Sequence, residues 1–315
     1  MMAAMKPSFA TTEILNWALA RIATDPKTTG EAMTALSRML CETHRAQAPA
    51  EWAETVAACR THPLCALLHE DPLTKRTFTQ PRGYAGDAEL LDIIYRRDWR
   101  GVETTPTRVG QAIFNFTIGC RAPSAVRQRR ELLAKMVDDA CGRTASPHIL
   151  SVACGHLREL ALSGEFRAGK VGRFVGLDQD ALSLAEVARS LPDVPVETVP
   201  GSIKLLFGST LAKEKFDFIY TAGLYDYLDE KFAQRLTKRM FEMLRPGGRL
   251  LVVNFRPGVE DVGYMEAFMN WKLIYRDTAA MERLSAGVPS AALARQHLSD
   301  DPTQTLVFLE LDRKA

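Results

Sequence analysis

The sequence has almost no charge imbalance: 40 Lys and Arg against 38 Asp and Glu leave a formal +2. That gives no electrostatic reason to invoke nucleic acid or an anionic membrane as a partner. No apolar run is long enough to span a bilayer, and Met1 to Ala10 lack the long apolar core of a secretory signal. Cysteines stand at 41, 59, 65, 120, 141 and 154, with no CxxC pair and no zinc-ligand spacing. Reduced thiols in a cytoplasmic protein, and no bound metal, are therefore expected. Histidines 44, 62, 69, 148 and 297 are scattered, and no Ser/His/Asp constellation emerges. What remains is ordinary for a globular protein, 46% hydrophobic and 25% charged, and 315 residues suffice for a large core in two domains.

Ile149 to Leu160, ILSVACGHLREL, organises the second half. Its opening residues are apolar or small, as a strand buried on both faces requires, and Gly155 lets the backbone turn tightly into a helix. Phe174 to Leu177 repeats the pattern and ends in Asp178, about 20 residues past the glycine, where a carboxylate can accept both hydroxyls of a ribose. Phe216 to Tyr220 predicts a third buried strand ending in Thr221-Ala222-Gly223, and Arg249 to Phe255 a fourth after the turn Arg245-Pro246-Gly247-Gly248. Val194 to Val199 predicts a short strand before Gly201-Ser202. Asp300 and Asp301 divide two last strand candidates, of which Leu306 to Leu311 is expected to close the sheet as an antiparallel edge. Strands alternating with helices predict an α/β fold with a parallel, Rossmann-like sheet and ligands at its carboxyl ends.

Thr11 to about Arg121 reads as helices. Ile14, Trp17, Ala18 and Ile22 share one face, Met33, Leu36, Met39 and Leu40 another, and Pro63 opens a later helix. Glu70-Asp71 reads as a solvated corner. In QPRGYAGDAELLDIIY, Pro81 and Gly83 break regular structure and Asp87 is placed to cap a helix. The same loop carries Arg82, Tyr84 and Asp87, so a plain turn and a lid contacting a ligand are both open. Phe114, Asn115 and Phe116 are either lid surface or core. Arg121, Arg127, Arg129 and Arg130 are either a solvated face or include a fork for a carboxylate, with Val126, Leu132 and Leu133 inward. Residues 1–124 are expected to form a helical cap and 125–315 the sheet domain, with Ser146-Pro147 breaking the last helix from the first strand.

The order of glycine turn, acidic residue, strand beginning with Asp217 and LRPGGRLLVV resembles class I S-adenosylmethionine-dependent methyltransferases. In the usual pattern a carboxylate stands at Ser151 and glycines at Ala153 and Leu157. The resemblance implies S-adenosylmethionine as cofactor, bound by Ala153, Gly155, His156, Asp178, Gln179, Ser202, Thr221 and Gly223. HPLCALLHEDPLTKRTFTQPRGYAGDAELLDIIY, AVRQRRELL, ILSVACGHLREL, AGLYDYL and MEAFMNWKLIYRD together resemble the extracellular-factor 3-hydroxypalmitate methyl ester biosynthesis family over Thr61 to Asp277. Such proteins esterify a fatty-acid carboxylate beneath a helical cap. His156 and Asn270 depart from that family's usual proline and aspartate.

The resemblance thus implies methyl transfer to a carboxylate of a small hydroxy or fatty acid, with Tyr84, Asn115, Arg121 and Tyr225 as catalytic candidates and no general base. An ionised carboxylate already carries the attacking lone pair. A similarity to azetidine-2-carboxylate synthases implies a second reaction, cyclisation of the cofactor by its own amine with loss of methylthioadenosine. There Phe114, Phe116, Tyr225 and Tyr227 would face the sulfonium, an attraction of roughly 0.5 to 2 kcal/mol, and Asn115 or Asn270 would orient the amine. A third reading is a non-catalytic cofactor-binding protein.

Overall fold

The structure, a computed structural model, describes residues 9–100, 105–192, 196–208 and 210–315. The chain divides into two compact units, one of Met1–Val126 with Gly258–Lys272, the other of Arg127–Pro257 with Leu273–Ala315. The boundary falls within a helix, two residues beyond the expected one, and a late segment of the chain belongs to the helical unit.

In the helical unit, α1 (Phe9–Thr24), α2 (Thr29–Ala46), α3 (Pro49–Thr61), α4 (Pro63–Leu68), α5 (Pro72–Thr79), α6 (Ala88–Arg96) and α7 (Arg108–Thr117) follow one another, and α8 (Arg121–Arg143) begins there. Of the expected faces, Ala18 and Ile22 of α1 and Met33, Leu36 and Leu40 of α2 are buried, whereas Ile14, Trp17 and Met39 are half-buried and Leu15 joins the core in their stead. Pro63 stands at the first turn of α4, capped by His62, and Asp87 caps α6 through Leu90 N. The late helix Val262–Phe268 is buried along its whole length. Trp52 Nε1 donates to Glu266 Oε2 at 2.8 Å, and Arg60 donates to the carbonyls of Glu266 and Ala267. These bonds hold the returning segment to α3.

Asp71 corrects the solvated-corner reading. It is fully buried at the cap of α5, accepting from Leu73 N, Thr74 N, Thr74 Oγ1 and Thr117 Oγ1 at 2.6 to 3.2 Å. Burial pushes its carboxyl up to about 6.

The second unit is a seven-stranded sheet in the order β3-β2-β1-β4-β5-β7-β6. Its strands are β1 (His148–Val152), β2 (Arg173–Asp178), β3 (Val196–Pro200), β4 (Phe216–Thr221), β5 (Leu244–Phe255), β6 (Leu293–Asp300) and β7 (Leu306–Arg313). The first five run parallel; β7 is antiparallel to both β5 and β6. The final strand is therefore internal, and β6, with most of its residues exposed or half-exposed, forms the edge. The predicted third-strand residues Val194 and Pro195 lie outside the described residues. β5 begins earlier than predicted: Phe216 pairs with Leu244 and Phe218 with Arg249, so the Pro-Gly-Gly turn is an insertion within the ladder, with Gly247 at φ +76°. Asp217 ties this end together, accepting from His148 N and Arg245 Nη1 at 2.7 Å each. It is thus structural, at the opposite ends of the strands from the site below.

Candidate cofactor site on the sheet rim

The strand order reverses direction between β1 and β4, the position where open α/β sheets leave a crevice at their carboxyl ends. Ala153, Gly155 and His156 follow β1; Asp178 and Gln179 end β2; Ser202 follows β3; Thr221 and Gly223 end β4. All eight expected cofactor residues therefore occupy one rim of the sheet.

The turn after β1 has the backbone shape of a glycine-rich loop without its glycines. Ala153, Gly155 and Leu157 all adopt left-handed backbone, at φ +54°, +55° and +50°. For Ala153 and Leu157 that conformation costs about 1 kcal/mol each, offset by what holds the turn. Cys154 N donates to Leu177 O at 3.1 Å, Leu157 N to Cys154 O at 3.3 Å, and the Leu157 side chain is buried. A Cβ on Gly176 of β2 would lie 3.0 Å from Cys154 Sγ and 3.3 Å from Leu157 Cδ1, so the turn packs directly onto that glycine. Burial pushes the Cys154 thiol well up, which removes it as a nucleophile.

Asp178 closes the turn from the neighbouring strand. Its Oδ2 accepts from Gly155 N at 2.8 Å and its Oδ1 from Asp180 N at 2.9 Å. Burial raises the carboxyl while the Asp180, Gly155 and Gln179 amides oppose that rise. Gly155 N is therefore spent on Asp178. Gln179 is exposed, Ser202 is half-buried and accepts from Lys204 N at 3.4 Å, and His156 is buried.

A buried acid, Glu159, stands eight residues after Ser151 in the sequence. It accepts from the Tyr220 hydroxyl of β4 at 2.5 Å, and Ser151 also hydrogen-bonds that hydroxyl. At the end of β4, the Thr221 hydroxyl is buried without a hydrogen-bond partner. Asp226 accepts from Phe255 N at 2.7 Å, and Arg276 donates to Asn254 Oδ1 and the carbonyls of Tyr225 and Leu228. The β4 loop is thereby fixed to the end of β5.

The catalytic candidates divide between the units, Tyr84, Asn115 and Arg121 in the helical one and Tyr225 in the sheet one. Tyr225 is fully buried in the core of the sheet unit, its hydroxyl 2.7 Å from Thr237 Oγ1 on the helix Glu230–Glu242, so its ring faces packing partners rather than open space. Tyr227 is the exposed aromatic of this loop, at 42%. Tyr84 is half-buried in the turn before α6, and Asn115 is exposed on α7. Arg121 is exposed with Nε 3.3 Å from Glu260 Oε2. In the same helical unit Arg82 pairs with Glu89, and Asp87 accepts from Arg76, as a structural turn requires. Asn270, at φ +52°, accepts from Arg60 Nη2 through its side chain and from Gln80 Nε2 through its carbonyl. That anchors the returning segment.

Arg129 is the residue that sequence reasoning named only within a cluster. It is 4% exposed and its Nε makes no hydrogen bond. The signal was its spacing: Val126, Arg129 and Leu133 lie three and four apart, on one helical face, and both apolar neighbours are buried.

Comparison with known proteins follows the same division. Residues 150–252 match the family model described as a methyltransferase domain. No curated protein sequence matches. The whole fold is similar to the crystal structure of a possible exported protein from Bordetella parapertussis, at TM-score 0.62 and 17% identity over 99% of this chain and 100% of that one. Weaker likenesses include magnesium protoporphyrin IX methyltransferase from Synechocystis with bound S-adenosylhomocysteine, at TM-score 0.48 and 12% identity over 76% of this chain and 100% of that one. Another is the N-methyltransferase NodS from Bradyrhizobium japonicum, at TM-score 0.42 and 14% identity over 60% of this chain and 98% of that one. The residues matched to the methyltransferase-domain family run from β1 into β5 and so lie within the sheet unit.

Proposed function

We propose that this protein binds S-adenosylmethionine on the carboxyl rim of β1, β2 and β4 and transfers its methyl group to the carboxylate of a small hydroxy or fatty acid. The observation that carries the cofactor reading is Asp178, a buried carboxylate that among the described residues is pinned by backbone amides alone, beside a left-handed turn. With three amides upon it, about one of its four lone-pair sites remains for a ribose hydroxyl. The unpartnered Thr221 hydroxyl on the same rim fits a polar ligand as well. When bound, the cofactor supplies an electrophilic methyl group. The chain's own residues orient it and exclude water, which matters because methyl transfer needs an in-line acceptor in a dry site.

The acceptor class rests on the resemblance to ester-forming proteins and on the chemistry of the side chains present. A carboxylate needs no base, and burial holds the Cys154 thiol and the Tyr220 hydroxyl protonated. Among the described residues, no group of three or more His, Cys, Asp and Glu is placed to hold a metal. Among the described residues no helix is long and apolar enough to cross a membrane, and all six cysteines are free. The cyclisation reading needs an aromatic cage, yet Phe114 and Tyr225 are both core.

Incubation with S-adenosylmethionine, with and without a panel of hydroxy and fatty acids, tests the proposal. S-adenosylhomocysteine formed only when an acid is present is the expected product. Methylthioadenosine formed with no acid would overturn methyl transfer in favour of cyclisation.

A further inference from the structure

Arg129 brings a buried, unpartnered donor to the loop after β4. It lies on α8 within the sheet unit, 4% exposed, and its Nε is buried without a hydrogen-bond partner. A buried donor left unmade is disfavoured, and a cationic one more so. Its guanidinium reaches the loop after β4: a Cβ added at Gly223 would stand 3.9 Å from Nη1. Two carboxylates sense its charge, Glu159 and Asp226. Each already accepts another bond, Glu159 from the Tyr220 hydroxyl and Asp226 from Phe255 N. They balance the cation without filling its fork.

Position narrows the ligand. Asp178 ends β2, β1 lies next to it, and β4 lies next to β1. From Asp178 to the β4 loop is thus two strand spacings, about 10 Å. A nucleoside whose ribose sits at Asp178 and whose tail crosses the β1 turn ends beside Gly223 and Arg129. The unpartnered Thr221 hydroxyl marks the same strand end.

We infer that Arg129 holds the amino-acid carboxylate of the cofactor, through the planar fork of its Nε and Nη hydrogens, in the crevice between β1 and β4. The inference rests on the cofactor reading above and adds a specificity determinant to it: the site selects nucleosides bearing a carboxylate-terminated tail. A guanidinium fork suits that anion better than an ammonium does.

Calorimetric titration of the full chain separates the possibilities, using S-adenosylhomocysteine, its decarboxylated analogue and methylthioadenosine. In the unaltered protein, loss of the ligand carboxylate is expected to weaken binding about thirtyfold or more. Arg129→Gln should bind the homocysteine and decarboxylated ligands alike, within about twofold, and keep its affinity for methylthioadenosine. Arg129→Lys should fall between. Equal affinity of the unaltered protein for the acid and its decarboxylated analogue would overturn the inference without any variant having to fold. So would a loss in Arg129→Gln that is the same for all three ligands, which marks an arginine that only balances Glu159 and Asp226. Binding of methylthioadenosine with no carboxylate preference would leave the cofactor site standing while removing Arg129 from it. Failure of all three ligands to bind the unaltered protein would remove both.

Discussion

Asp71 in the helical unit and Asp178 in the sheet unit are both buried aspartates, and burial raises both carboxyls. They differ in who supplies their hydroxyl partners. Asp71 accepts from two backbone amides and from the hydroxyls of Thr74 and Thr117. Asp178, among the described residues, accepts from backbone amides alone. A carboxylate offers about four lone-pair sites, so the chain saturates Asp71 and leaves Asp178, with three amides upon it, room for one more donor. The first arrangement builds a helix cap; the second keeps a side of the carboxylate open, as the proposed cofactor site requires.

The largest effect that sharpens this contrast is on stability. Asp71→Ala should cost about 3 to 4 kcal/mol, because it removes the cap of α5 and strands several buried donors. Asp178→Ala should cost only about 1 kcal/mol, its amides lying next to a rim that water can reach. Denaturant titration of both variants checks the order, and equal losses would erase the distinction.

The next effect is a pH dependence. Burial holds the proton on Asp71 up to about 6, against 3.8 ordinarily. Between those values the folded chain binds more protons than the unfolded one. The contribution is fully present below 3.8 and is lost as pH rises through 6, amounting to about 2 to 3 kcal/mol. Asp226, also raised to about 6 by burial, adds to the same fall. Unfolding free energies of Asp71→Asn should therefore decline less steeply over this window than those of the unaltered chain; an unchanged slope would show that Asp71 stays ionised throughout.

The smallest effect concerns the turn that Asp178 pins. Ala153→Gly removes a side chain from a backbone at φ +54° and should stabilise the chain by about 0.5 to 1 kcal/mol, read as a rise in thermal midpoint. Destabilisation would mean that the left-handed conformation is not a burden the fold carries there.

The same two regions explain what could be seen in the sequence. β1, β2, β4 and β5 were legible because strands buried on both faces read as continuous apolar runs, and Asp178 because its distance from Gly155 follows from one strand-helix-strand unit. The loop shape was obscured, since Ala153 and Leu157 conceal left-handed positions that glycine would have announced. Asp71 was misread for a different reason. An acidic pair before proline looks solvated, while the hydroxyl that buries it, Thr117, lies 46 residues away. Periodicity cannot report such distances, nor could it show that Glu266 returns to Trp52 across 214 residues. Tyr225 shows the remaining limit: an aromatic at a strand end faces either core or ligand, and only its bond to Thr237 decides.

Titration of S-adenosylhomocysteine into the unaltered chain and into Asp178→Ala tests the central claim most directly. A saturable one-site isotherm is predicted for the first, weakened about a hundredfold in the second, as expected when a ribose hydroxyl loses a charged acceptor. An identical isotherm in Asp178→Ala, or none in the unaltered chain, would contradict it.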